Sequence, residues 1–236
     1  MYESLVKTAK SLSAWLIPHR CLACTAIVSG PNQPFCETCH LALPFQPHSC
    51  TRCGQALNAE QDYCGRCIQS PVPFDLCFYP FRYESPISDA IHRFKYGDRP
   101  QLAKPLGTVL ASEIREHGLP LPEILLPVPM HVSRLRKRGF NQSLQLCKQV
   151  ATELSIPYSN GVLEKSRATP AQVGLSLRER RASIRDSFRI SRNFTKKSVA
   201  VIDDVITTGS TVEEIAKILK RNGVNYVYIW GLAHTI

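Results

Sequence analysis

Eight of the ten cysteines fall in four Cys-x-x-Cys pairs, at Cys21/Cys24, Cys36/Cys39, Cys50/Cys53 and Cys64/Cys67. No other feature constrains the fold as strongly. A Cys-x-x-Cys turn offers two thiolates to one metal ion, and two turns complete the tetrahedral all-sulfur set that zinc favours. The segments between successive pairs are 11, 10 and 10 residues long, the size of a hairpin that returns its ends to one place. Sequential pairing closes the shortest loops at the lowest entropic cost. It puts Cys21, Cys24, Cys36 and Cys39 on one zinc, and Cys50, Cys53, Cys64 and Cys67 on a second. Interleaved pairing is the alternative. Four sulfurs close each site, so the role is structural. A disulfide scaffold belongs to exported chains. A redox dithiol stands once at a helix start, not four times in loop-like sequence. Cys77 and Cys147 lie outside the pattern and read as buried thiols.

Composition makes the metal necessary. Residues 18–74 hold seven of the 17 prolines and only eight Val, Ile or Leu, too few for an unaided core. Phe35, Phe45, Tyr63 and Phe74 serve there either as a mini-core or as platforms on which bases stack. Residues 1–17, with Leu5, Leu12, Trp15 and Leu16, are expected to form an N-terminal helix. That stretch lacks the continuous apolar segment of a signal peptide. No apolar run approaches the roughly 18 residues of a membrane span. The expectation is a cytoplasmic protein that is not an integral membrane protein.

From residue 75 to 236 the texture is that of a second, larger domain. "LCFYPFRY" (76–83) reads as a strand, and "SPISDAIHRFKY" and "LAKPLGTVLASEIREHG" carry apolar residues at helical spacing. "EILLPVP" is a short buried strand entering a rigid turn, and "NQSLQLCKQVATEL" is an amphipathic helix. A strand near 158–163, a basic stretch with a helical middle (176–185), strand "SVAVIDD", helix "TVEEIAKILKRNG" and strand "VNYVYIWGLA" follow. Alternating strands and helices imply an α/β fold, a mostly parallel sheet covered on both faces, with ligands beyond the carboxyl ends of the strands.

One strand end stands out. In "VAVIDDVITTGST" a continuous apolar strand runs into two acids, a small-residue loop and a helix. Thr207, Thr208, Gly209, Ser210 and Thr211 offer backbone N–H groups and hydroxyls at a helix N-terminus, which is a phosphate cradle. Thr211 and Glu214 have the spacing of a capping box. Asp203 and Asp204 precede the cradle by about one sugar's length, at an expected exposed strand end. Paired carboxylates there suit the vicinal hydroxyls of a ribose and a Mg²⁺ ion. The Gly-Lys-Ser/Thr of a P-loop and the Gly-x-Gly-x-x-Gly fingerprint are both missing.

Charge is unevenly spread. Residues 1–77 hold five basic and five acidic side chains, whereas residues 134–197 hold 15 Lys or Arg against four acids. An Arg-rich excess of this kind draws in phosphates, whether of a metabolite or of a nucleic-acid backbone. Arg178, Arg180 and Arg181 are the candidate nucleic-acid contacts. Lys95, Arg134, Arg138, Arg167 and Arg181 are candidate clamps for an anionic leaving group, with Arg138 first because Gly139 beside it permits close backbone approach.

"VIDDVITTGST" resembles the phosphoribosyl pyrophosphate (PRPP) motif of type I phosphoribosyltransferases. "LPVPMHVSRLRKRGFNQS" and "KSRATPAQVGLSLRERRASIRDSF", behind a cysteine-rich N-terminus, resemble the ComF family. The likeness implies zinc ribbons (18–74) ahead of a phosphoribosyltransferase-like domain (75–236), and a link to DNA uptake in natural transformation. It implies that Asp203 and Asp204 contact ribose hydroxyls and that Thr207 to Thr211 wrap the 5-phosphate of PRPP or ribose 5-phosphate. Mg²⁺ would accompany PRPP, and the turn at 127–129 would carry the pyrophosphate loop. Single-stranded DNA and other DNA-uptake or recombination proteins are the implied partners. Two function classes follow, a binding protein for imported DNA and an active phosphoribosyltransferase in which Asp203, Asp204 and Arg138 take part in catalysis.

Overall fold

The structure is a computed structural model and describes residues 20–29, 33–97, 99–167, 186–191 and 196–235. The expected helices at 1–17 and 176–185 lie outside the described residues. Within the cysteine-rich region two one-turn helices, α1 (Glu37–Leu41) and α2 (Gly65–Gln69), each start directly after a cysteine of a Cys-x-x-Cys pair. The remainder runs β1 (Leu76–Phe78), β2 (Phe81–Arg82), α3 (Ile87–Tyr96), a 3₁₀ turn (Pro100–Leu102), α4 (Ala103–Glu116) and β3 (Ile124–Pro127). It continues through α5 (Val132–Arg138), α6 (Gln142–Leu154), β4 (Leu163–Lys165), β5 (Phe188–Ile190), β6 (Ser198–Ile206), α7 (Ser210–Arg221) and β7 (Tyr226–His234).

The main sheet is parallel throughout. β6 is central, flanked by β3 and β7, and β1 and β2 both lie along the far edge of β7. Val199 to Ile202 and Val227, Ile229 and Trp230 are fully enclosed, as parallel strands covered on both faces require. One face carries Ile91, Phe94, Leu106, Leu110, Leu146 and Val150 from α3, α4 and α6. The other carries Val212, Ile215 and Leu219 of α7. Among the described residues no helix is long and apolar enough to cross a membrane.

Three expectations are corrected. Residues 76–83 form two short strands, because Pro80 has no N–H for the ladder. Its carbonyl instead accepts from Gln46, and Arg82 donates to Pro44. The strand near 158–163 is divided: Tyr158 bridges Leu125 at the sheet edge, and after the Ser159–Gly161 turn β4 pairs antiparallel with β5. The capping box at Thr211 and Glu214 does not form. The cap falls two residues earlier, on left-handed Gly209 (φ 74°), which places Thr211 inside the first turn, and Glu214 accepts the Asp186 N–H instead.

The ribbon segment is packed onto the α/β layers. Cys21, Leu22, Val28, Phe35 and Leu43 join the core around Phe81, Ile87 and Phe94, while Phe74 joins the core under α7. Phe35 and Phe74 are buried and Phe45 lies 5.0 Å from the Phe81 ring, so these three are core, not open stacking platforms. Tyr63 is exposed beneath the Arg52 guanidinium.

Helices α4 and α6 approach so closely at Gly107 that a Cβ there would stand 2.6 Å from Gln149 Cβ. Gly107→Ala should therefore destabilise the protein by about 1–3 kcal/mol through overpacking, despite Ala's better helix propensity. Urea unfolding of the variant checks this; an equal or higher midpoint would show that the two helices can move apart.

Candidate functional site

The eight pattern cysteines form two clusters in the sequential pairing, Cys21, Cys24, Cys36 and Cys39, and Cys50, Cys53, Cys64 and Cys67. In each, the four sulfurs lie within 4.8 Å of one another. Cys24 and Cys36 are 3.7 Å apart, and Cys53 and Cys64 3.6 Å apart. Sulfurs about 2.3 Å from one tetrahedral ion stand about 3.8 Å from each other, so the donor set fits zinc. Each Cys-x-x-Cys turn is held by its own backbone, with Thr25 N–H on Cys21 O and Gly54 N–H on Cys50 O. His40 belongs to neither cluster and packs edge-on against Phe45. Cys77 and Cys147 are buried outside the clusters.

A cleft of about 280 Å³ opens at the carboxyl ends of β3 and β6. One wall is the loop from Thr207 to the first turn of α7, including Thr207, Gly209 and Thr211. The hydroxyls of Thr208 and Ser210 are hydrogen-bonded to each other at 3.0 Å, which keeps them on one side of the loop. The opposite wall is the N-terminus of α6. The Asn141 side chain accepts the Ser143 N–H and donates to Val128 O, which ties this helix start to the end of β3. Arg138 donates to Gln142 Oε1 at 3.0 Å and lies over the Tyr96 ring. Gln142 is almost wholly buried, and its Nε2 has no hydrogen-bond partner among the described residues. Gly139, at φ 79°, closes α5.

The acidic pair lies between these walls. Ser143 donates its hydroxyl to Asp203 Oδ1 at 2.8 Å, and the Asp204 N–H donates to the same oxygen at 2.9 Å. Asp204 Oδ1 accepts the Val205 N–H, and its Oδ2 is 2.9 Å from Lys95 Nζ. Asp203 is half-buried and Asp204 buried, so the expected exposed strand end is corrected for Asp204. The cause is α3, whose last turn brings Lys95 over it. Burial pushes the Asp203 carboxyl up to about 7 and Asp204 adds to the shift, against the pull of the Ser143 hydrogen bond and Lys95. Burial works against the Lys95 ammonium, but Asp204 outweighs it and the pKa stands above the ordinary value.

Of the proposed cationic clamps, Arg134 and Arg138 line the cleft, and Lys95 lines it committed to Asp204. Arg167 is exposed and does not line it, and Arg136 and Lys137 lie on the solvated face of α5. Arg178, Arg180 and Arg181 lie outside the described residues. Lys165, at the end of β4, is a cleft residue that sequence reasoning missed; burial and the nearby Arg134 lower its pKa to about 8. Its signal was weak, because a lysine between Glu164 and Ser166 reads as ordinary surface.

Comparison with known proteins identifies the family. The sequence matches the double zinc ribbon domain over residues 12–68 and the phosphoribosyl transferase domain over residues 141–234. Competence protein F of Haemophilus influenzae is 34% identical over 91% of this chain and 96% of its own length. DNA utilization protein YhgH of Salmonella typhi is 34% identical over 93% of this chain and 99% of its own. A purine phosphoribosyltransferase from Pyrococcus horikoshii superposes with a TM-score of 0.35 at 19% identity, covering 57% of this chain and 74% of that one. With near full-length relatives at this identity and both domains matched in order, the chain belongs to the family of competence protein F and DNA utilization protein YhgH.

Proposed function

We propose that this chain acts in the use of imported single-stranded DNA in the cytoplasm, and that its cleft binds PRPP or ribose 5-phosphate; the names of its relatives, competence protein F and DNA utilization protein YhgH, support a role in competence and DNA use. The observation that carries the pocket reading is the position of the acidic pair between two helix N-termini. Helix N-termini favour anions, and carboxylates favour sugar hydroxyls, so the cleft suits a pentose with an anionic group at each end. Thr207 to Thr211 hold the 5-phosphate, and the acidic pair serves the ribose hydroxyls, with Asp203 in contact and Asp204 behind it against Lys95. Arg138, Arg134, Lys165 and the Gln142 amide face the diphosphate. Mg²⁺ carried with PRPP supplies neutralisation of the diphosphate charge. Zinc in both cysteine clusters stabilises the ribbons and has no open position for chemistry. The division into residues 1–17, 18–74 and 75–236 belongs to the same reading.

A second reading, turnover as a phosphoribosyltransferase, is favoured by the cations around Arg138, which would stabilise a leaving diphosphate as the C1–O bond breaks. Calorimetric titration with PRPP, followed by pyrophosphate release assayed with a panel of bases, separates the two readings. Binding without release leaves the binding role.

Asp203→Asn should weaken ribose 5-phosphate binding about tenfold or more, the worth of a hydrogen bond to a charged group, while the fold persists. Asp204→Ala should instead destabilise the domain, by about 3–5 kcal/mol, because it strands the buried Lys95 ammonium. Paired titration and urea melts check both. A fully stable Asp204→Ala would mean that Lys95 reaches water.

Metal analysis of purified protein should find roughly two zinc ions per chain. Cys53→Ser should lower that number and the solubility, while Cys77→Ser leaves the zinc content alone. A folded protein without zinc refutes the ribbon assignment.

Residues 134–197 carry a net charge of +11, 15 basic against four acidic groups. Binding of single-stranded DNA should therefore be sequence-independent and fall with salt by about 0.7 log units per phosphate contacted. Replacing Arg178, Arg180 and Arg181 together by Ala should reduce the salt slope by about two. Salt-insensitive binding would assign the basic cluster to diphosphate alone.

A further inference from the structure

The two acids of the cleft are not equivalent. Asp204 Oδ1 accepts the Val205 N–H, and its buried Oδ2 accepts no well-aligned hydrogen bond but lies 2.9 Å from the Lys95 ammonium as an ion pair. Asp203 uses Oδ1 twice, for the Ser143 hydroxyl and the Asp204 N–H, and its Oδ2 has no hydrogen-bond partner among the described residues. Asp203 lines the cleft and is half-buried. Lys95 is held in turn. It sits in the last turn of α3, its side chain is 19% exposed, and the next residue, Tyr96, carries the Arg138 guanidinium over its ring. A divalent ion on Asp204 would have to displace an ammonium that is already in contact and largely out of water. Two positive groups on one buried carboxylate oxygen repel each other strongly at that depth.

We infer that Lys95 is the resident cation of the acidic pair: it excludes divalent metal from Asp204 and leaves Asp203 Oδ2 to accept a sugar hydroxyl. This rests on the pentose-phosphate reading of the cleft for its ligand. Lys95 is then a positioning residue and not a leaving-group clamp. Its charge makes recognition of the sugar independent of metal, and any Mg²⁺ in the complex is held by the ligand's phosphates.

The test uses the full-length zinc-loaded protein and its Lys95→Met and Lys95→Arg variants, in buffer free of Mg²⁺ and of chelator so that zinc is kept. Mn²⁺ alone is followed by electron paramagnetic resonance, and ribose 5-phosphate by calorimetry with and without Mg²⁺. The wild type should show no tight Mn²⁺ site and should bind ribose 5-phosphate equally in both buffers. Lys95→Met should gain one Mn²⁺ site that Asp203→Asn in the same chain removes. It should also lose about tenfold or more in metal-free ribose 5-phosphate affinity, partly restored by Mg²⁺. Lys95→Arg should behave like the wild type, which separates charge from packing. Zinc content and thermal melts confirm that each variant is folded.

Tight Mn²⁺ binding by the wild type that Asp203→Asn abolishes, or unchanged metal-free sugar binding in Lys95→Met, overturns the inference. Failure of the wild type to bind ribose 5-phosphate or PRPP in either buffer overturns the pocket reading instead. The Mn²⁺ comparison needs no sugar and still decides the role of Lys95.

Discussion

Two adjacent carboxylates at the end of a buried strand repel each other, and the arrangement around them answers that repulsion. β6 is paired with β3 as far as Ile202 and with β7 through Ile206, so the backbone that carries Asp203 and Asp204 is held in place and the two carboxylates cannot move far apart. Leaving a buried charge uncompensated costs several kcal/mol. The compensation comes from three directions: Lys95 from the end of α3, the Ser143 hydroxyl from the start of α6, and backbone N–H groups of the strand. The ends of two helices that are distant in sequence are thereby fixed at one place. That place is the floor of the cleft.

The same logic of mutual support applies to the ribbons. A segment with so few branched apolar residues contributes little core of its own, and it lends what it has to its neighbour. Phe35 and Leu43 complete the core beside α3, and Phe74 completes the core beneath α7. The Arg93 side chain hydrogen-bonds Leu22 O in the first knuckle. The sulfur clusters thus hold the turns, while the α/β domain supplies most of the apolar surface against which the turns pack.

Periodic and punctuated features were legible in the sequence. The cysteine spacing gave both clusters in their sequential pairing, and the apolar runs of β3, β6 and β7 gave the parallel sheet. What sequence could not supply was the third dimension of polar contacts. Lys95 reads as a candidate clamp for an anionic leaving group, and only packing of α3 over β6 reveals that its partner is Asp204. Thr211 and Glu214 have capping-box spacing, but a cap is decided by which residue leaves the helical φ/ψ region, and left-handed Gly209 takes that position. Pro80 was visible, yet its effect depended on residues 44–46 arriving alongside to satisfy the interrupted edge.

The second ribbon also touches α7, the helix that follows the Thr207–Gly209 loop. Arg66, between the cysteines of the last pair, is 3.5 Å from Glu213 in the first turn of α7, and Asp75 pairs at 2.7 Å with Lys220 in its last turn. Arg66 is half exposed and Lys220 about a third exposed, so neither pair adds much stability on its own. The weight falls on Phe74, which is buried in one cluster with Val212, Ile215 and Leu219. The ion pairs then act chiefly on register: they fix where along α7 the ribbon sits. Because Gly209 begins that helix, the position of the Thr207–Thr211 loop is set partly by a ribbon more than a hundred residues earlier in the chain.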